Sequence, residues 1–299
     1  MGLKLSRKLR SYKNLVLKKI YHVSPKFYKK LVFIGSIFKF YFKIKKRKKI
    51  KFFSENLDKI NKYEYKKTSQ NNEDGLIEYI FHKSNINEVN FVEIGFDYYE
   101  NNSLNLFNKT NNGLLIDGSE EKTFILEKLI KIFYRKKNIK VINFFVNKDN
   151  INSIISKSLN LGKDEIDFMS IDVDGNDYYL FENLDYRPKV LCIEYNFWYG
   201  EEANCSTPYS ENFKWEKGSV YFGSSLLALY NLALEKDYYL VAIDTACVNA
   251  FFVRGDLKKN FEILDPKINF KIPSKYNESE IKSAREYLSK QNLNHFKDK

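Results

Sequence analysis

Two short apolar runs in this chain each end in acidic residues. Phe168-Met169-Ser170-Ile171 leads into Asp172-Val173-Asp174-Gly175, and Val190-Leu191-Cys192-Ile193 leads into Glu194-Tyr195-Asn196. A short apolar run bounded by turn residues reads as a buried strand of a parallel sheet, and ligands of such sheets bind beyond the carboxyl ends of the strands. Side chains alternate along a strand, so Asp172 and Asp174 share a face, as do Glu194 and Asn196. With the two strands as neighbours, three carboxylates and an amide converge. Such a group offers two chemistries. Asp172, Asp174 or Glu194 takes a proton from a substrate hydroxyl directly. Alternatively Asp172, Glu194 and Asn196 hold Mg2+ through hard oxygens, and the metal lowers the pKa of that hydroxyl. A plainer reading of Asp174-Gly175-Asn176-Asp177 is a helix-capping turn. A histidine base is a poor fit, because His22, His82 and His295 all lie outside these motifs.

A second group lies upstream, in FVEIGFDYYENNS at residues 91–103. A strand ending in Glu93-Ile94-Gly95, then a turn and a helix start, is a nucleotide-cofactor arrangement in which glycine lets the backbone approach a ligand. The next strand ends at Asp117-Gly118, where an acid is spaced to accept both hydroxyls of a ribose. The competing reading is a tight turn with two solvated acids. A third group is the stretch 197–225, which holds Trp198, Tyr199, Tyr209, Phe213, Trp215 and Tyr221. A long aromatic loop just past a strand end reads either as a substrate lid or as a hydrophobic cover for the core.

The elements that must position these residues alternate. Asn90–Gly95, Gly113–Asp117, Ile139–Val146, Phe168–Asp172 and Val190–Tyr195 read as strands. Helices are expected over Asn102–Lys109 (Asn101 or Asn102 as N-cap), Glu120–Tyr134 (Phe124, Leu126, Leu129, Ile130 and Phe133 inward), Ile151–Leu159, Asp177–Leu184 and Tyr221–Leu234. Tyr238–Asp244 and Asn249–Arg254 close the pattern as an antiparallel pair. Leu76, Ile77, Ile80 and Phe81 have helical spacing ahead of the first strand, and Asn277–Leu293 reads as a terminal amphipathic helix. Repeated β-α alternation implies an α/β fold, a mostly parallel sheet with helices on both faces. The expected organisation is a basic arm over 1–54, a lead-in over 55–88, an α/β domain over 89–256 with the insertion 197–225, and a polar tail over 257–299.

The series VEIG, LLIDGS, SIDVDGNDYY, CIEYN and NAFFVR resembles the FkbM-type, class I S-adenosylmethionine-dependent methyltransferases, over roughly residues 88–256. The resemblance implies a Rossmann-like methyltransferase sheet with a C-terminal antiparallel strand, and methyl transfer to an oxygen of a sugar or surface-glycan precursor. It implies that Glu93 and Gly95 line the methionine and adenosine region, that Asp117 holds the ribose, that Asn147 sits near the adenine, and that Asp172 closes the site. The chain departs from the pattern in its first loop, where Gly95 is followed by Phe96-Asp97-Tyr98-Tyr99 in place of further glycines.

Charge is divided along the chain. Residues 1–54 carry 18 of the 50 Lys/Arg and none of the 38 Asp/Glu, so the remainder holds 32 basic against 38 acidic side chains. A uniformly basic nucleic-acid enzyme is not patterned this way. The apolar run 31–42 is short of the ~20 residues that cross a bilayer, and its lysine-rich flanks read as a segment lying on an anionic membrane. A solvated extension and a phosphate-binding arm are the competing readings. The expected location is the cytoplasm of a bacterium, at the inner membrane face. Cys192, Cys205 and Cys247 form no metal or disulfide pattern. Three rivals stay open: a nucleotide-sugar glycosyltransferase using Asp172-Val173-Asp174 as a metal motif, a non-catalytic membrane-associated protein, and an RNA methyltransferase.

Overall fold

The computed structural model describes residues 24–45, 49–50 and 60–297. The chain divides into two compact units, Met1–Lys46 and Arg47–Lys299. In the first, helix α1 (Pro25–Lys45) runs 21 residues, and Ser36 Oγ donates back to Val32 O at 2.8 Å. No helix among the described residues is long and apolar enough to cross a membrane. Apart from Ser24 and Lys49–Ile50, the rest of the expected basic arm falls outside the described residues.

The second unit begins with two short paired strands, β1 (Lys49–Ile50) and β2 (Tyr65–Lys66), followed by α2 (Glu73–Lys83). Then come β3 (Val89–Ile94), β4 (Thr110–Asp117), α3 (Glu120–Phe133), β5 (Asn138–Asn143), α4 (Ile151–Ser158), β6 (Phe168–Ile171), α5 (Asp177–Asn183) and β7 (Val190–Glu194). The chain closes with β8 (Cys205–Ser206), α6 (Leu226–Glu235), β9 (Tyr238–Ile243), β10 (Asn249–Arg254), α7 (Glu278–Leu288) and β11 (Asn294–His295).

Seven strands form one sheet in the order β5-β4-β3-β6-β7-β10-β9. All pairs from β5 to β7 are parallel, while β10 is antiparallel to both β7 and β9. The fold is therefore Rossmann-like α/β, with the expected antiparallel closure. The chain winds outward from β3 to β5, then returns to β6 on the other side of β3. That reversal is the topological switch point.

The two faces of the sheet differ. Val92, Ile94, Leu114, Ile116, Met169, Ile171, Leu191 and Ile193 are buried on one face in a single apolar cluster, with Ile155 of α4, Leu180 of α5 and Leu229 of α6. Removing side chains of this size from water contributes roughly 1.5–3 kcal/mol each. The opposite face is apolar at its lower end, where Phe81 of α2 meets Phe168 edge-on. Toward the carboxyl ends it turns polar, with Glu93, Ser170 and Cys192 all buried.

Several expected elements shift. The helix over 102–109 is a 3-10 turn, Leu104–Lys109, begun by Asn101 Oδ1 accepting from Leu104 N at 2.8 Å. In α3 the buried side comprises Ile125, Leu126, Leu129 and Ile130, whereas Phe124 is 52% exposed beneath the Lys128 ammonium. The expected helix over 221–234 starts only at Leu226, because Ser225 caps it by accepting from Ala228 N. The terminal helix ends at Leu288, and the chain then pairs β11 with β8 of the insertion.

Candidate functional site

Strand register brings the acids together. Ile94 pairs with both Ile116 and Ile171, Ile171 with Ile193, Glu194 with Asn249, and Ala250 with Ile243. One residue further, the ladder continues through Gly95 N to Ile116 O, Asp172 N to Ile94 O, and Asp244 N to Asn249 O. Six strands thus end at one level in the row Asp117, Gly95, Asp172, Glu194, Asn249, Asp244. Alternation puts all six on the same face.

The centre of the row is crowded with carboxylates. One oxygen each of Asp172, Asp174 and Glu194 lies within 4.8 Å of the others. Asp172 and Glu194 are half-buried as residues, but their carboxyls sit deep among protein atoms. Both titrate well above the ordinary carboxylate range, through burial first and then repulsion from their acidic neighbours. Glu194 Oε2 is buried and has no hydrogen-bond partner among the described residues. Asp174 is exposed and occupies the left-handed region, with φ 60°, a strained setting for a residue other than glycine. Its pKa is raised by burial of its carboxyl, while the nearby Lys122 ammonium lowers it.

The 174–177 turn does not cap the helix as expected: Asn176, at the N-cap, makes no side-chain bond to the helix, and Asp177 instead braces the turn ahead of it. Asp177 is fully buried and accepts from Val173 N at 2.8 Å and from Gly175 N at 2.9 Å. Burial nevertheless pushes its pKa up to about 7. Its task is to hold the turn that presents Asp174.

Asn196 is not part of the cluster, which corrects the expected metal set. Its Oδ1 accepts from Trp198 N at 3.0 Å, and its Nδ2 donates to Val220 O and Phe222 O, both at 2.8 Å. The amide straps the two ends of the insertion together.

Glu93 is engaged by the loop that follows its strand. Its carboxylate accepts from Asn102 N at 2.8 Å, from Ser103 N at 2.9 Å and from Ser103 Oγ. A carboxylate buried at a strand end needs donors, and the loop starting the 3-10 turn supplies three. Burial pushes the pKa of Glu93 up to about 7, against the pull of those donors. Gly95 is required by its neighbour strand. At φ 78°, a Cβ there would lie 1.6 Å from the Asp172 carbonyl oxygen, so the close backbone approach is to Asp172. Asn147 turns back on its own loop, its Oδ1 accepting from Asp149 N and Asn150 N ahead of α4.

Asp117 sits at the rim on the other side of Gly95. Its carboxylate accepts from Ser119 N at 2.7 Å and Phe96 N at 3.1 Å, with Lys122 Nζ 3.5 Å away. Oδ1, which accepts only from Ser119 N, keeps a lone-pair direction for a further donor, while Oδ2 already faces Phe96 N and Lys122 Nζ. The Phe145 ring lies over Gly118, where an added Cβ would come within 2.7 Å of it, and Phe145 is 58% exposed. An exposed aromatic face beside a hydroxyl-accepting acid suits a nucleoside.

Sequence reasoning missed Lys122, Phe145, Asn249, Asp244 and the lead-in acids. Asp74 is the hub of the lead-in, accepting from the backbone N–H groups of Lys67, Thr68 and Ser69. Glu64 accepts from Thr245 N and Asn61 Nδ2, and Glu73 from Asn249 Nδ2, so residues 60–76 cap the β9–β10 end of the row. Asn249 and Asp244 were reachable by applying the strand-end rule to the last two strands.

The start of the insertion serves as the expected hydrophobic cover. Phe197 and Trp198 are buried against Tyr276, as a cover. Phe213 packs on Gly175, which brings the far part of the loop to the turn carrying Asp174.

No protein-family model and no curated protein matches the chain. Among solved structures it is similar to magnesium protoporphyrin IX methyltransferase (ChlM) from Synechocystis PCC 6803 with bound S-adenosylmethionine, at 10% identity and a TM-score of 0.40, covering 61% of this chain and 77% of that one. It is similar to the N-terminal domain of EvdMO1 with S-adenosylhomocysteine bound, at 11% identity and a TM-score of 0.42, covering 62% and 80%. A methyltransferase from Clostridium acetobutylicum is 10% identical, with a TM-score of 0.39 and coverage of 61% and 90%. The strand order and register by themselves carry the fold assignment.

Proposed function

We propose that the chain is an FkbM-like enzyme that transfers the methyl group of S-adenosylmethionine to an oxygen of a sugar or surface-glycan precursor. The observation that carries this reading is the register row. It sets a hydroxyl-accepting acid, Asp117, on one side of the switch-point strand and the carboxylate cluster of Asp172 and Glu194 on the other. The residues present fit the cofactor in two places. Asp117 and the exposed Phe145 suit its nucleoside, and the acidic wall of Asp172 and Glu194 suits its cationic sulfonium and ammonium groups.

When bound, S-adenosylmethionine supplies an electrophilic methyl carbon with a thioether as leaving group. Glu194 Oε2, the buried oxygen without a partner, accepts the proton lost by the acceptor hydroxyl. Asp172 keeps that oxygen basic, since two carboxyls this close do not both ionise readily. Glu93 supports the site indirectly by fixing residues 101–103.

Asp172, Asp174 and Glu194 also fit a hard divalent cation, with the unpartnered Glu194 Oε2 as one donor. Mg2+ there would neutralise the cluster and acidify a hydroxyl. EDTA should then abolish turnover and Mg2+ restore it, whereas full activity in chelator would leave the direct-base version. The basic arm places the enzyme at an anionic membrane surface, at the inner face of the cytoplasmic membrane.

Asp172 and Asp174 stand together as a glycosyltransferase DxD pair would, so the deciding experiment is calorimetric titration with S-adenosylmethionine, UDP-sugars and GDP-sugars. Saturable binding of S-adenosylmethionine supports the reading. Binding of a nucleotide sugar alone moves the glycosyltransferase ahead. No binding of any at millimolar concentration makes the fold a non-catalytic one.

A further inference from the structure

Helix α1 presents a specific exposed face. Ile34, Phe38, Tyr41 and Phe42 are 41%, 61%, 44% and 68% exposed. At 3.6 residues per turn, positions 34, 38, 41 and 42 fall within about 100° of arc, the width of one apolar stripe. Lys30 and Lys45 are exposed near its two ends and Lys39 is exposed beside it. Scattered exposed apolar residues need no explanation, but four on one stripe mark an interaction surface.

Charge decides the occupant. The 54 residues that include this helix carry 18 Lys/Arg and no Asp/Glu. A folded protein partner would have to match that excess with an unusually acidic surface. An anionic lipid bilayer supplies both an apolar interior for the stripe and a diffuse negative surface for the lysines. The helix is about 31 Å long. Lying flat, it places the whole stripe at one depth and lets Lys39 beside the stripe, and Lys30 and Lys45 at the helix ends, reach the headgroups.

We infer that α1 lies in the plane of an anionic bilayer with Phe38 and Phe42 inserted and Lys30, Lys39 and Lys45 at headgroup level. This rests on the membrane-side reading of the arm and gives it an element and an orientation; it does not depend on the proposed activity.

The test is flotation of the full-length protein with vesicles of phosphatidylcholine alone or with phosphatidylglycerol as about a third of the lipid, enough to give the negative surface that attracts lysines. Wild type should float only with the anionic vesicles. The Phe38→Ser, Phe42→Ser double variant keeps every charge and should lose at least tenfold in partitioning at low salt. Both positions are exposed, and circular dichroism matching wild type confirms that the fold is kept. A Phe38→Trp variant should show a blue-shifted emission and quenching by brominated acyl chains on binding. If wild type fails to bind anionic vesicles, the membrane-side reading itself fails. If wild type binds and the double variant binds equally, only the insertion of the stripe is overturned. If the stripe instead drives concentration-dependent dimers that the double variant abolishes, its occupant is a second copy of this chain and the inference is wrong.

Discussion

Glu194→Gln is the most revealing single substitution, because it separates charge from shape at the centre of the row. The variant keeps the side chain's size and removes one negative charge from a cluster whose oxygens lie within 4.8 Å of one another. Two full charges at that distance repel by about 3.5 kcal/mol at an effective dielectric of 20. Asp172 and Glu194 are half-buried, and solvent screening cuts this by roughly half, leaving about 1–2 kcal/mol. The sign follows from the direction of the shifts. Asp172 and Glu194 titrate above their unfolded values. Their contribution to stability is therefore full below about pH 4 and is lost as pH rises through the folded pKa values. Glu93 and Asp177, each pushed up to about 7, act in the same direction. Without divalent metal, wild type should lose stability between about pH 5 and pH 8. Glu194→Gln should lose less and melt about 2–8 °C above wild type at pH 8, at roughly 2–4 °C per kcal/mol for a domain of this size. At pH 5 the two should nearly coincide. Adding Mg2+ at pH 8 should raise the melting temperature of wild type and leave the variant nearly unchanged. Thermal melts at the two pH values decide it. A variant less stable than wild type at pH 8, or a difference independent of pH, would refute charge stress at Glu194.

Asp117→Ala should weaken S-adenosylmethionine binding by about 1–3 kcal/mol in calorimetry, the worth of hydrogen bonds to a charged group, and leave Mg2+ binding unchanged. Gly95→Ala should cost more than about 3 kcal/mol in denaturant unfolding, because a Cβ at φ 78° meets the Asp172 carbonyl at 1.6 Å. A mild effect there would mean that β3 and β6 are further apart than described. Asn196→Ala strands the Trp198 N–H and the carbonyls of Val220 and Phe222, at about 1–3 kcal/mol for each buried group. Limited proteolysis between 209 and 222 should quicken while Mg2+ affinity holds; a fall in that affinity would return Asn196 to the metal set.

Much of this protein was legible from local pattern. Apolar runs, turn residues and helical spacing are properties of neighbouring residues, so the strands ending at Asp117, Asp172 and Glu194 could be placed without knowing what they touch. The antiparallel pair β9–β10 followed from two strands joined by a short turn. The division of charge between arm and globule is a property of composition alone. What each polar residue does was decided by partners distant in sequence. Gly95 is glycine because of Asp172, 77 positions away, at the end of a neighbouring strand. Asn196 has the spacing of a ligand, yet its amide is taken by carbonyls at 220 and 222. Glu93 points to residues 102 and 103, whose backbone N–H groups lie just ahead of a 3-10 turn and meet Glu93 only through the tertiary fold. Phe124 reads as apolar and inward, but the packing of α3 on the sheet turns Ile125 inward instead. Alternation tells which face of its own strand a residue occupies. Only the register between strands, set by packing across the sheet, tells that Asp172, Glu194, Asn249 and Asp244 stand side by side.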